Sequence, residues 1–240
     1  MKNKLFFYFL LAASSRLMAG DLKDEIHRAA AALENEKNYS WRTTQDNSDG
    51  SPPNHGPAEG ETEKNGCSMV TMYFDNYSAQ LVIRGTNAAV RTEEHGWQSA
   101  KEARQNPDDG NNLASALARS AQTFGTPGMT MMKLVEHTKE LRAGTNGITG
   151  ELTETGAKLC FFFGGSRDRT MPTVSNVKGA VSFWLANGKL VKYQTRATGA
   201  VSFSGNDRQM ERTVTVEIVD VGTTTVEVPD DAKKKLNQLD

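Results

Sequence analysis

The chain has 240 residues, 37% of them hydrophobic, with 28 basic against 29 acidic side chains and two cysteines. That is enough apolar material for one good core. A near-neutral balance without a Lys/Arg cluster among aromatics excludes a nucleic-acid surface, and no run stays apolar over the ~20 residues that a membrane-crossing helix needs.

At the amino terminus, Lys2 and Lys4 precede an apolar run over residues 5–13, and the small residues Ala19 and Gly20 follow. This is the pattern of a secretory signal peptide, its apolar run too short to span a bilayer. Cleavage is expected after Ala19 or Gly20, which makes residues 1–20 a leader and residues 21–240 a single domain, soluble and periplasmic or secreted. That domain carries 25 basic and 29 acidic residues, a net charge of −4. No cysteine stands at the cut, so no lipid anchor is expected. Export permits a disulfide between Cys67 and Cys160; it would close a loop of roughly 90 residues and contribute about 4 kcal/mol on a chain-entropy estimate. Two buried free thiols, each within a strand-like run, fit equally, and the residues leave both readings open.

Residues 21–38 read as a helix, with Leu22, Ile26, Ala29, Ala30 and Leu33 on one stripe and acids in the first turn. Residues 39–44 follow as a short strand. Residues 45–65 have no apolar period and are dense in Gly, Pro, Asn, Asp and Glu, which predicts a mobile loop inserted between strands. Strands are then predicted over 67–74, 79–84 and 88–92, linked by Asp75-Asn76 and Gly85-Thr86-Asn87 turns. The chain becomes helical near Ser99. Residues 111–124 place Leu113, Ala116, Leu117, Ala121 and Phe124 on one side, and Thr126-Pro127-Gly128 ends that helix. Residues 129–142 read as a second helix presenting Met131, Leu134, Val135 and Leu141. A hairpin is predicted from residues 148–153 and 158–163 around Glu154-Thr155-Gly156, followed by a loop over 164–176.

Residues 177–221 predict a three-stranded antiparallel meander. Asn187-Gly188 between two apolar runs marks a type I′ turn, which needs positive φ at both central residues. Ala186 then pairs with Lys189, and strict alternation puts Leu185 opposite Leu190, Trp184 opposite Val191 and Ser182 opposite Tyr193. One face would carry Trp184, Val191 and Tyr193, the other Phe183, Val181 and Leu190. Both faces are partly apolar, so each is expected to be covered over part of its area. Residues 213–218 alternate cleanly and should be wet on one side. A short strand at 225–228 and a small helix after Pro229, acids first and lysines later, complete the chain.

No catalytic signature emerges. His137 and Glu140 share a predicted helix face but supply only two ligands, without HExxH or a second cluster. Ser166 follows Gly164-Gly165 yet lies in neither a GxSxG nor a P-loop pattern, and the Arg167, Asp168 and Arg169 run reads as a solvated loop. Met129, Met131, Met132, Phe161, Phe162, Phe163, Trp184 and Tyr193 are as a set the residue types that line a cavity for a flexible apolar ligand, though each taken alone is more often one that fills a core. No enzymatic activity, metal or cofactor is expected.

The order of exported helix, strand with a Trp, meander up to a Gly-Trp, helices, and closing segments VSFWLANGKLVKYQT, TVTVEIVDVG and TVEVPDDAKKKL resembles the LolA/LppX/LprG-like superfamily of exported lipoprotein- and lipid-binding proteins. The resemblance covers nearly the whole mature chain. It implies an α+β fold: a strongly curved antiparallel β-sheet, or half-barrel, with helices covering the concave face. It also implies an apolar cavity between sheet and helices that binds lipid, acyl chains or lipoproteins, with a carrier role to the outer membrane as its extension. The cavity candidates are Met131, Leu134, Phe161, Phe163, Trp184, Val191 and Tyr193. The partners would be lipid or lipoprotein acyl chains; on the alternative reading, an envelope sensor or interaction module with no transported ligand, they would be envelope membrane proteins. The chain departs from the LppX/LprG branch in having no lipobox cysteine and in the 45–65 insertion.

Overall fold

The computed structural model describes residues 19–47, 57–105, 113–145, 147–161, 173–203 and 206–238. The expected signal peptide up to residue 18, Phe163 and the Ser166 to Arg169 loop lie outside them. Helix α1 (Ala19–Asn35) leads into six strands, β1 (Asn38–Asn47), β2 (Ala58–Glu63), β3 (Ser68–Tyr73), β4 (Ser78–Arg84), β5 (Asn87–Thr92) and β6 (Gly96–Ser99). Helices α2 (Ala100–Gln105), α3 (Leu113–Ser120) and α4 (Pro127–Glu136) follow, then β7 (Thr138–Gly144), β8 (Gly147–Leu152) and α5 (Glu154–Phe161). Three long strands, β9 (Thr173–Ala186), β10 (Lys189–Phe203) and β11 (Asn206–Val219), precede α6 (Asp230–Leu236).

The strands form one antiparallel sheet in the order β6-β5-β4-β3-β2-β1-β11-β10-β9-β8-β7. The first strand therefore pairs with the last, and the two meanders run outward from that central seam to opposite edges. The segment holding α2, α3 and α4 carries the chain from the β6 edge to the β7 edge, which is why helices lie across one face. The sheet curves around them and stays open. Irregular register in β10 against β9, between Leu190 and Lys192 and between Thr198 and Ala200, contributes to the bend, because an extra residue on one strand kinks it and raises its twist.

The inner face holds the main core. It runs from Leu81, Val90 and Val70 through Trp41 and Ile218 to Val181, Phe183 and Leu141, roofed by Leu22, Ile26 and Leu33 of α1, Leu117 of α3, Met131 and Leu134 of α4, and Ala157 and Phe161 of α5. A smaller core forms on the outer face, where Ala232 and Leu236 of α6 cover Val82 and Ala89. Strands β4 and β5 are therefore apolar on both faces, the pattern of a strand buried on two sides.

The Asn187-Gly188 turn forms as expected, with φ of 52° and 74°, and Ala186 and Leu185 meet Lys189 and Leu190. Beyond it the expected register fails. Val191 is the extra residue of a bulge, so Lys192 rather than Val191 faces Trp184, and Tyr193 pairs with Phe183. Phe183 and Tyr193 consequently share the inner face, while Val191 is 39% exposed and Trp184 has the Lys192 ammonium 5.1 Å from its ring centroid. A one-residue bulge exchanges faces for everything beyond it, since side chains alternate with a period of two.

Four further expectations are corrected. The helix expected over 129–142 ends at Glu136, and residues 138–144 form β7, whose backbone is satisfied by pairing with β8. The strand expected over 158–163 is instead helical to Phe161: Thr153 Oγ1 accepts from the Gly156 N–H, and Glu154 meets Lys158 at 2.6 Å one turn on. The 45–65 segment contains β2, which pairs with both β1 and β3; ladder hydrogen bonds there outweigh the poor strand propensity of AEGETE. Residues 225–228 form no strand, and Val226 N–H reaches Glu63 Oε1 at 3.5 Å. The terminal helix forms as expected, with Asp230 and Asp231 in its first turn and Lys233, Lys234 and Lys235 in its last.

Candidate apolar binding site

Registers across the sheet align inner-face side chains in rows. One row reads Met72, Ala58, Thr43, Val216, Tyr193, Phe183, Ile148 from β3 to β8. Its Val216 to Ile148 half is buried, with Phe183 fully so, whereas Met72, Ala58 and Thr43 are only partly covered. The next row repeats the division: Gln45 and Val214 are partly buried, Thr195 and Val181 buried. Helix α5 accounts for the dry half, since it packs on β9, β10 and β11, and α1 lies on β10 and β7. On the other side α3 rests on β5. Between these supports Ala58, Met72 and Val214 make a partly exposed apolar strip on the inner face, the candidate trough, and Phe74 and Met210 are partly buried apolar side chains of β3's end and β11.

Trp41 closes one end of this trough. Its indole lies across Gly60 on β2, and Tyr39 and Phe124 approach it with ring centroids at 5.8 and 6.3 Å. Glu34 of α1 fixes that end: its Oε1 accepts from the Tyr39 hydroxyl at 2.9 Å and from the Thr126 hydroxyl, at the N-cap of α4, at 2.6 Å. Burial, then the Glu34 charge, pushes the Tyr39 hydroxyl far above the usual tyrosine range, so it stays a neutral donor. Burial likewise raises Tyr193, against a lowering hydrogen bond from Thr130 of α4.

At the other end lies Arg212 on β11, opposite Asn47 on β1 and Ala197 on β10. It is 9% exposed. Its Nη1 donates to the Phe161 carbonyl at the end of α5 at 2.8 Å, and the Phe161 ring centroid is 5.9 Å from its Cζ. Burial lowers its pKa, with neighbouring Cys160 acting the other way.

Of the residues singled out from sequence, Met131, Leu134, Phe161 and Tyr193 come together in the inner core. Trp184 and Val191 do not: both lie on the outer face, opposite Phe183 and Leu190, and the bulge carries Tyr193 away from them to the inner face. Cys67 and Cys160 are both free thiols; Cys67 packs with the outer cluster while Cys160 belongs to the inner one, so the sheet separates them. His137 caps the end of α4 and Glu140 sits on β7 bonded to Arg142, so they share no helix face. Sequence reasoning missed Trp41 as a site residue, along with Met72, Val214 and Arg212. The alternation Trp41, Thr43, Gln45, Asn47 along β1 was the available signal, hidden by ending that strand at Thr44.

A separate groove of about 530 Å³ lies near the start of α5, lined by Lys139, Glu151, Glu154, Lys178 and Arg196 with Leu152 and Val177. Its mixed charges do not suit an acyl chain. Among the described residues no group of three or more His, Cys, Asp or Glu is placed to hold a metal, and no helix is long and apolar enough to cross a membrane.

No family model matches the sequence, and no curated protein matches it. Solved structures similar to the chain include lipoprotein LppX of Mycobacterium tuberculosis, at 11% identity and a TM-score of 0.48 over 86% of this chain and 98% of that one. LprF from Mycobacterium bovis is similar at 10% identity and a TM-score of 0.44, over 90% and 99% of the two chains. A domain from Vibrio parahaemolyticus named for outer membrane lipoprotein sorting is similar at 12% identity and 0.34, over 88% and 97%.

Proposed function

We propose that this chain is an exported, non-enzymatic binding protein that holds the apolar chains of a lipid or lipoprotein in the trough on the inner face of its sheet. One observation carries the reading: the rows that are dry beneath α5 and α1 continue, on the same face, into the partly exposed Ala58, Met72 and Val214. Apolar surface left partly wet on a concave face is where a flexible hydrophobic ligand gains most from burial, at ~25 cal/mol per Å² of apolar area removed from water. Met72 in that strip suits a ligand of variable shape, because the unbranched side chain repacks readily. The amino-terminal leader pattern supports an exported location, and the resemblance of element order to lipid- and lipoprotein-binding proteins supports a carrier role.

The test is extraction of protein purified from its native compartment, followed by mass spectrometry. A stoichiometric acyl-bearing species is expected. Protein that comes through lipid-free and takes up no long-chain amphiphile in solution contradicts the reading.

A further inference from the structure

We infer that Arg212 receives the oxyanion head, carboxylate or phosphate ester, of an amphiphile whose chain lies along Val214 and the floor of the trough. This rests on the function proposed above and names the head group it selects. Arg212 is 9% exposed as a residue and its Nε is fully buried; a charged group is costly to place in a core, and buried charges are ordinarily paired. Arg212 has no carboxylate within ion-pair reach among the described residues. Among the described residues its buried Nε has no hydrogen-bond partner, while Nη1 donates to the Phe161 carbonyl.

The placement of that one bond matters. With Nη1 engaged at the end of α5, the edge formed by Nε and Nη2 is left, and that edge is the one that accepts two oxygens of a carboxylate or phosphate side by side. Neighbours on the same face are Val214 and Met210, two residues away along β11, and Asn47 across on β1. Apolar floor next to a single buried donor edge is the arrangement that orients an amphiphile by its head. The bond to Phe161 by itself accounts for one nitrogen as a helix-end contact and leaves the Nε edge unexplained.

Calorimetric titration with dodecanoate, dodecyl phosphate, dodecan-1-ol and inorganic phosphate tests this on the wild-type chain and on R212M, with R212Q as a second variant if R212M does not fold. The expected result is that both dodecyl anions bind the wild type at least about tenfold tighter than the alcohol, the scale of one charge-assisted hydrogen bond, and that the variant loses this preference. Equal binding of anion and alcohol by the wild type, or a preference that survives substitution, overturns the role of Arg212 while leaving the trough as an apolar site. Inorganic phosphate binding as tightly as dodecyl phosphate overturns it as well, since the ligand would then be a free anion. Failure of all three dodecyl compounds to bind overturns this inference and the proposed function together.

Discussion

The indole of Trp41 occupies the space that a Cβ on Gly60 would need. The two residues pair across β1 and β2, so the close approach is built into the strand register. Gly60 is buried by this contact although it lies in a polar strand. Substituting Gly60 by Ala or Val must displace the ring from its position beside Tyr39 and Phe124. Urea denaturation should show a loss of about 1–3 kcal/mol, the usual cost of overpacking, and near-UV circular dichroism should lose Trp41 signal. A Gly60→Val chain as stable as the wild type would mean that the indole rests elsewhere.

Alternation along β9 makes the adjacent aromatic residues Phe183 and Trp184 energetically unequal. Phe183 is completely buried, so F183A should cost about 3–5 kcal/mol. Trp184, on the outer face against Lys192, should cost W184A no more than about 1 kcal/mol. Chemical denaturation of the two variants tests this assignment of faces, and a W184A loss as large as that of F183A would contradict it.

The two thiols should differ in reactivity. Burial pushes Cys160 up to about 11, and its Sγ donates to the Gly156 carbonyl at 3.4 Å. Cys67 is only partly buried, although burial raises its pKa too. Titration with a thiol reagent without reductant should count two thiols in denaturant, and in the native state Cys67 should react first. A count of zero would establish a disulfide and contradict the placement of the two residues on opposite faces.

Lys235 of α6 donates to both oxygens of Glu102 in α2, at 2.7 and 2.8 Å. That hydrogen bond, helped by the Ser99 N–H, holds the Glu102 carboxyl below its ordinary value of 4.5. A carboxyl depressed in the folded state contributes stability above its unfolded pKa and loses it as pH falls through the lower folded value. The pair is only partly buried, so solvent screening limits E102Q to about 1 kcal/mol or less at neutral pH. Thermal melts should show the difference between E102Q and wild type shrinking below pH 4.5; a gap that widened there would contradict the assignment.

Much of the fold was legible because its signals are local. The Asn187-Gly188 turn, the stripe of α1 and the charge order of α6 each follow from a few adjacent residues. The bulge at Val191 was not legible, since nothing about Leu190-Val191-Lys192 distinguishes an extra residue from an alternating one, and that single step carried Tyr193 to the face of Phe183, away from Trp184 and Val191. Strand β2 was hidden for another reason: AEGETE has little strand propensity and is held by ladders on both sides and by Trp41 over Gly60. Helix α5 had a readable start in Thr153-Glu154, outweighed by the aromatic run beyond it. Arg212 could not be singled out because it sits among other charged residues of β11, and its burial depends on α5 ending over it.

Binding of a fluorescent long-chain fatty acid to V214W and V191W measures the central claim most directly. Both substitutions enlarge a valine by the same group, one on the trough floor and one on the outer face. Saturable binding that weakens about tenfold or more in V214W and is unchanged in V191W is the predicted result. Equal affinities in the two variants, or no saturable binding by the wild type, would contradict an acyl site on the inner face.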